Sequence, residues 1–152
     1  MHRLLLTLVI TGTVGGVLLS NPAAAQIVPP AKKAAHVEII KGPELESSTD
    51  HLTIIRWVTN NPGGSNDHLG VVSYGTDPKD LNQTAKSPIR LNQAHPNTTF
   101  RVRMQGLKPL TTYYYTVTSE ESGGKNDGVK SVVNKFTTPA PGQLIVGPSQ
   151  RD

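Results

Sequence analysis

Apolar and polar positions alternate along most of the middle of the chain. Over residues 98–105, Phe100, Val102 and Met104 fall on one side and Arg101, Arg103 and Gln105 on the other. Over 112–119, Tyr113, Tyr115 and Val117 oppose Tyr114, Thr116 and Thr118. Over 52–60, Thr53, Ile55, Trp57 and Thr59 share one side, with Ile54, Arg56 and Val58 opposite. A repeat of two is the signature of a strand, because successive side chains point to opposite faces. The first-named side of each run is assigned to the core, together with Val72, Tyr74 and Phe136. The alternation predicts seven strands, at 36–41, 52–60, 70–74, 82–86, 98–105, 112–119 and 129–137.

Turn chemistry separates them: Gly42-Pro43, Asn61-Pro62-Gly63-Gly64, Asp77-Pro78, His95-Pro96, Lys108-Pro109 and the run from Gly123 to Gly128. No segment carries a sustained apolar stripe of helical period, a heptad or an internal repeat. Residues 52–58 contain a helix-like spacing, but β-branched residues dominate there and Asn60-Asn61-Pro62 stops the run. Short strands at this spacing predict an all-β sandwich of the ordinary 100-residue class.

The two ends of the chain break the pattern. His2 and Arg3 precede an apolar run from Leu4 to Leu19, followed by Ser20, Asn21, Pro22 and Ala23-Ala24-Ala25. Charged start, apolar middle and small-residue cleavage site make a secretory signal over 1–25, cut near Ala25. A retained anchor needs about 20 predominantly apolar residues. This run is shorter and is interrupted by Thr7, Thr11, Gly12, Thr13, Gly15 and Gly16. The expected product is secreted or periplasmic, with no stable membrane span. Residues 26–35 read as a flexible Pro/Ala/Lys lead, 36–139 as the sandwich and 140–152 as a C-terminal tail.

Composition narrows the chemistry. The 152 residues include no cysteine, which removes disulfides, zinc–thiolate sites and thiol nucleophiles. An exported domain without disulfides must rely on its core. The formal net charge is +4, but the positive residues are scattered, so nucleic acid is not an expected partner. A metal-assisted hydrolase needs clustered His, Asp and Glu ligands. His36, His51, His68 and His95 each fall at a strand start or in a loop, and all four read as solvated. Asp50-His51 and Asp67-His68 are neighbours, and neighbours on a strand point apart. Ser73 stands in Val-Val-Ser-Tyr-Gly, not in a nucleophile elbow. The glycines of 123–128 join two strands as a hairpin rather than cradle a phosphate. A sugar platform needs several exposed aromatic residues, and only Tyr114 points outward. The reading is therefore no catalytic residues, no metal and no cofactor.

One stretch is specific. Gly106-Leu107-Lys108-Pro109-Leu110-Thr111-Thr112-Tyr113-Tyr114-Tyr115-Thr116-Val117 resembles the turn into strand F of fibronectin type III domains. Trp57 matches that family's strand-B tryptophan, Tyr74-Gly75 its strand-C ending and Phe136-Thr137-Thr138-Pro139 its last strand. The resemblance implies a seven-stranded immunoglobulin-like sandwich over 36–139. It makes Trp57, Tyr74, Leu107, Pro109 and Tyr113 the structural signature, with the Tyr113 hydroxyl bonded back to the upstream backbone.

A narrower resemblance is to the N-terminal domain of purple acid phosphatases. It rests on Ile55-Arg56-Trp57-Val58-Thr59, on Val72-Ser73-Tyr74-Gly75-Thr76-Asp77-Pro78 and on the Thr-Thr-Tyr-Tyr-Tyr run. In those enzymes the two-metal site belongs to a second, larger domain whose motifs this sequence does not contain.

If strands B and E are neighbours, as the family implies, Arg56, Arg101 and Arg103 share an outer face with Ile54 and Val58. That mixed strip suits a protein partner or an anionic envelope polymer. The expected function is a monomeric, secreted, non-catalytic interaction or spacer module. Two alternatives are an accessory domain working with a separate catalytic chain, and a cell-wall or polysaccharide-binding module.

Overall fold

The alternating runs form strands in the computed structural model, which describes residues 34–92 and 94–148. In chain order these are β1 (Ile39–Ser48), β2 (Leu52–Asn60), β3 (Asp67–Gly75), β4 (Gln83–Arg90), β5 (Asn97–Gln105), β6 (Thr112–Glu121), β7 (Asn126–Lys130), β8 (Asn134–Thr137) and β9 (Ile145–Val146). They make two antiparallel sheets. One has the order β5-β2-β1-β9; the other is β4-β3-β6, with β7 and β8 both along the far side of β6. Residues 1–25, expected to be a signal, the lead as far as residue 33 and the final residues 149–152 lie outside the described residues. Among the described residues no helix is long and apolar enough to cross a membrane.

The inward assignments place the core. Ile55, Trp57, Val72, Tyr74, Phe100, Val102, Met104, Tyr113, Tyr115, Val117 and Phe136 are buried together, with Leu107 at one end. Trp57 stacks on Phe100 with ring centroids 5.2 Å apart. Gly70 faces this pair from β3. A Cβ there would stand 2.9 Å from Val102 and 3.0 Å from Trp57, so the absence of a side chain makes room for the indole.

The strand count is nine rather than seven, and the boundaries explain the difference. The first strand starts at Ile39 and passes through Gly42-Pro43, where the sequence predicts a break. Gly42 takes φ +80° and the pairing with β2 shifts register there, so the pair makes a bulge, not a stop. The expected last strand splits into β7 and β8. Ser131 causes the split: its hydroxyl accepts from the Val117 N–H at 3.0 Å, and its own N–H donates to the Val117 carbonyl at 3.0 Å. A side chain thus occupies a place in the ladder, and Val132 and Val133 are pushed out into solvent.

The ninth strand lies within the expected tail. Ile145 and Val146 pair with Ser48 and Ser47. Gly147 then packs against the Leu45 carbonyl so closely that a Cβ would collide with it.

Two residues assigned outward on their strands depart from that environment. Thr116, placed outward by alternation, is buried. β6 is central in its sheet, and flanking strands shade even its outer face; Val71 on β3 is buried for the same reason. Val58 is also buried at the edge of solvent, beside Asn92, His95 and Thr99.

Candidate functional site

Three places carry polar chemistry: the corner at the start of β6, the outer face of the first sheet, and the opposite end of the core.

At the corner, the Tyr113 hydroxyl accepts a hydrogen bond from the Lys108 N–H at 3.0 Å. Leu107 is buried beneath it, while Pro109 and Leu110 are exposed in the turn. Leu110 takes φ +51°, a left-handed conformation uncommon for a residue with a side chain. Thr138 ties the turn down: its hydroxyl donates to the Lys108 carbonyl at 2.6 Å and accepts from the Thr111 N–H at 3.0 Å. Tyr74 meets Tyr113 edge-on at 6.1 Å, and Phe136 stacks on Tyr113 at 5.7 Å. Burial, with the Tyr113 phenol as a second cause, raises the Tyr74 pKa above the ordinary phenol value. Burial, then the nearby Glu44 carboxylate, pushes Tyr115 up to about 12. These phenols are members of the buried core.

On the outer face, β2 and β5 pair without a slip from Leu52–Gln105 to Asn60–Asn97. That register sets Arg56 directly opposite Arg101, and Ile54 opposite Arg103. Like charges facing each other across strands repel. Glutamates from β1 offset this: Arg56 Nη1 bonds Glu44 at 2.9 Å, Arg101 Nε bonds Glu46 at 2.7 Å, and Arg56 Nε lies 3.9 Å from the same Glu46 oxygen. The Arg56 side chain is only 17% exposed, whereas that of Arg101 is 51% exposed. Arg103 is exposed, and its backbone N–H donates to Ser87 Oγ of β4 at 3.3 Å. The strip is therefore not the mixed cationic and apolar surface expected. Two acids the sequence reading left out reduce it to mixed charge, because β1 brings Glu44 and Glu46 alongside β2. Val58, expected on this surface, is too covered to contribute.

At the far end of the core lies a cluster that the sequence reading did not find. His68 stands in β3 with its side chain fully buried, which corrects its reading as a solvated loop residue. Its Nε2 is 3.3 Å from Asp127 Oδ1, yet neither ring nitrogen has a hydrogen-bond partner among the described residues. The contact has ion-pair distance without hydrogen-bond alignment. Asp127, 6% exposed, accepts from Ser119 Oγ at 2.7 Å through its other oxygen. Thr59 Oγ1, at the same end of β2, is also buried without a partner. Parity held the signal: His68 continues the inward series of Gly70, Val72 and Tyr74, and Asp127 precedes inward Val129 by two. Asp127 was assigned to the hairpin turn, and so was not carried onto the inner face.

The other histidines among the described residues stay at the surface: His51 bonds Asp50 at 2.8 Å, and His36 and His95 are exposed. Among the described residues no three His, Asp or Glu side chains come together as a metal site.

The outer sides of the two sheets' edges also differ. β4 closes on β5 through Ser87, whereas a slit separates β1 from β7. Its two grooves, of about 250 and about 530 Å³, both border Val37 and Gly128.

Comparison with known proteins follows this architecture. A short form of the sensor domain of the anti-sigma factor RsgI4 in Pseudobacteroides cellulosolvens superposes with a TM-score of 0.49 at 23% identity, covering 71% of this chain and 99% of that one. The solution structure of the same sensor domain gives 0.48 at 22%, covering 68% and 76%. The third fibronectin III domain of human KIAA0343 protein gives 0.35 at 15%, covering 84% and 97%. No curated protein sequence matches the chain. The family described as purple acid phosphatase, N-terminal domain, matches residues 44–138, which run from β1 to the Thr138 tie of the corner. By that match, over more than half its length, the chain belongs to the purple acid phosphatase N-terminal domain family.

Proposed function

We propose that this chain is an exported, non-catalytic interaction module that presents the outer face of its first sheet to a protein partner. The supporting observation is the unslipped β2–β5 register, which lines up Arg56, Arg101 and Arg103 with Glu44 and Glu46 from β1. A surface with both signs of charge fits a protein of complementary pattern better than an anionic polymer, which offers one sign only. Family membership favours a particular kind of partner, a separate chain that carries catalysis. Export rests on the signal-like segment at 1–25.

Binding to envelope extract tests the face. Arg101→Glu with Arg103→Glu is the right variant, because Arg56 is mostly buried against Glu44 and its reversal would attack the fold. Wild type is expected to retain a discrete partner at low salt and the double variant to lose it. Equal retention by both would remove the face from the proposal. Hydrolysis of phosphate esters with added iron, zinc or manganese is expected to stay at background; turnover that tracks the purified chain would end the non-catalytic reading. The exported chain is expected to begin near Gln26, and a full-length chain in the membrane pellet would mean an anchor.

A further inference from the structure

The connection from β4 to β5 carries the chain from one sheet to the other and borders a pocket of about 400 Å³. Val58 and Ile89 are its apolar lining, and Arg90, Asn92, His95, Asn97 and Thr99 supply polar groups. Backbone hydrogen bonds hold its walls. The Leu91 N–H donates to the Asn66 carbonyl at 2.7 Å, the Asn61 N–H to the Pro96 carbonyl at 2.7 Å, and the His95 N–H to the Asn92 carbonyl at 3.0 Å. The pocket is thus formed by the fold itself, as small-molecule sites usually are.

Its charge sets it apart from the grooves of the slit. Those are bordered by carboxylates, Glu121 and Asp127 in one and Glu38 in the other. Here the lining among the described residues holds no acid and two basic side chains. Arg90 and His95 are both exposed, and neither side chain has an ion-pair or hydrogen-bond partner among the described residues. The register sets exposed Asp67 opposite Arg90, yet the two form no ion pair. Asn92 spends its amide oxygen on the Ala94 N–H at 3.0 Å, which leaves its NH2 group as a donor. Two aliphatic side chains are too few to hold a wholly apolar ligand. The unspent capacity is that of donors, and a planar guanidinium matches a carboxylate with two parallel N–H groups.

We infer that this pocket binds a small hydroxylated carboxylate, an organic acid of the size of one sugar ring. Arg90 takes the carboxylate, with His95 beside it. Asn92, Asn97 and Thr99 bond the hydroxyl groups, and Val58 and Ile89 meet the carbon face of the ligand. The volume lies at the low end of the range for ligand sites, about 300–1,000 Å³, which suits one ring rather than an extended chain. The inference does not rest on the protein partner proposed for the outer face.

A test is amide NMR titration of the purified chain with methyl glucuronide, methyl glucoside and inorganic phosphate. The glucuronide is expected to give saturable shifts at residues 58, 89–92 and 95–99, with a Kd of about 1 mM, ordinary for a ligand of about 14 heavy atoms. The glucoside lacks only the carboxylate and is expected to bind about tenfold more weakly or worse. Phosphate, which cannot use the amides and the apolar lining together, is expected to do the same. Arg90→Gln should weaken the glucuronide about tenfold and leave the glucoside unchanged. Asp67→Asn removes the acid opposite Arg90 and should tighten the glucuronide about twofold. Asn97→Ala should weaken both sugars. All three positions are exposed, so the variants should melt with the wild type. Absence of saturable shifts at these residues, equal binding of the two sugars, or unchanged glucuronide binding by Arg90→Gln would each overturn the proposal. Phosphate bound as tightly as the glucuronide would also overturn it, by making the pocket an anion site that does not select a hydroxylated acid.

Discussion

Two threonines on the same face of β2 end in opposite situations. Thr53, at the corner end of the core, shares a 2.7 Å hydrogen bond with Ser48 inside the fold. Thr59, at the other end, is equally buried and its hydroxyl has no partner among the described residues. The ends as wholes repeat the contrast. The corner end packs Leu107, Tyr74, Tyr113 and Phe136, and its buried polar atoms are paired. The far end holds His68, Asp127, Ser119 and Thr59; three buried polar atoms of His68 and Thr59 are unpaired among the described residues, and a fourth, Trp57 Nε1, lies one inward position before Thr59 on β2. A buried hydrogen bond contributes about 1 kcal/mol net, whereas a buried polar atom without one costs about 1–3 kcal/mol. The comparison teaches that stability is concentrated where the motif lies. The far end tolerates polar groups that add little to it, and it is this end that opens into the slit.

The comparison can be broken in four ways. Phe136→Ala should have the largest effect, about 3–5 kcal/mol, since it removes a buried ring and leaves a void between Tyr113 and Tyr115. Denaturant melts measure it; a loss below about 1 kcal/mol would show that the corner is not the anchor.

Alkaline titration comes next. The Tyr115 phenol is neutral in the fold up to about 12, while in the unfolded chain it ionises near its ordinary value of 10.0. The stabilisation is therefore fully present below pH 10 and is lost as the pH rises from 10 towards 12. The loss is on the order of 2–3 kcal/mol by the top of that window. Tyrosinate absorbance should rise together with unfolding, and complete ionisation in the folded state near pH 10 would contradict the burial.

Tyr113→Phe removes the hydroxyl alone and should cost about 1–3 kcal/mol, because the Lys108 N–H loses its acceptor. The same change at half-exposed Tyr114 is the control, and equal costs at both would dismiss the corner bond.

The smallest effect is expected at the far end. His68→Leu removes two unpaired ring nitrogens at little change in volume, and Asp127 keeps Ser119. Stability should change by less than about 1 kcal/mol, in either direction. A cost above about 3 kcal/mol would make the His68–Asp127 contact a structural ion pair and erase the contrast between the two ends.

The alternation of side chains was enough to determine the all-β class, the inward set on β2, β5 and β6, and the position of Trp57 in the core. These follow from a period of two, which any strand imposes whatever its partners. The Gly-Leu-x-Pro stretch marked the corner through its resemblance to fibronectin type III domains. Tertiary structure decided the rest. Ile145 and Val146 become a strand only because β1 offers an unpaired edge. The last strand divides because Ser131 bonds a neighbour 14 residues earlier. Glu44 and Glu46 change the charge of the arginine face from another strand, and Asp127 meets His68 across a separation of 59 positions. Local periodicity tells each side chain which way to point; what it then touches depends on strand order and register, which are set by contacts between distant segments.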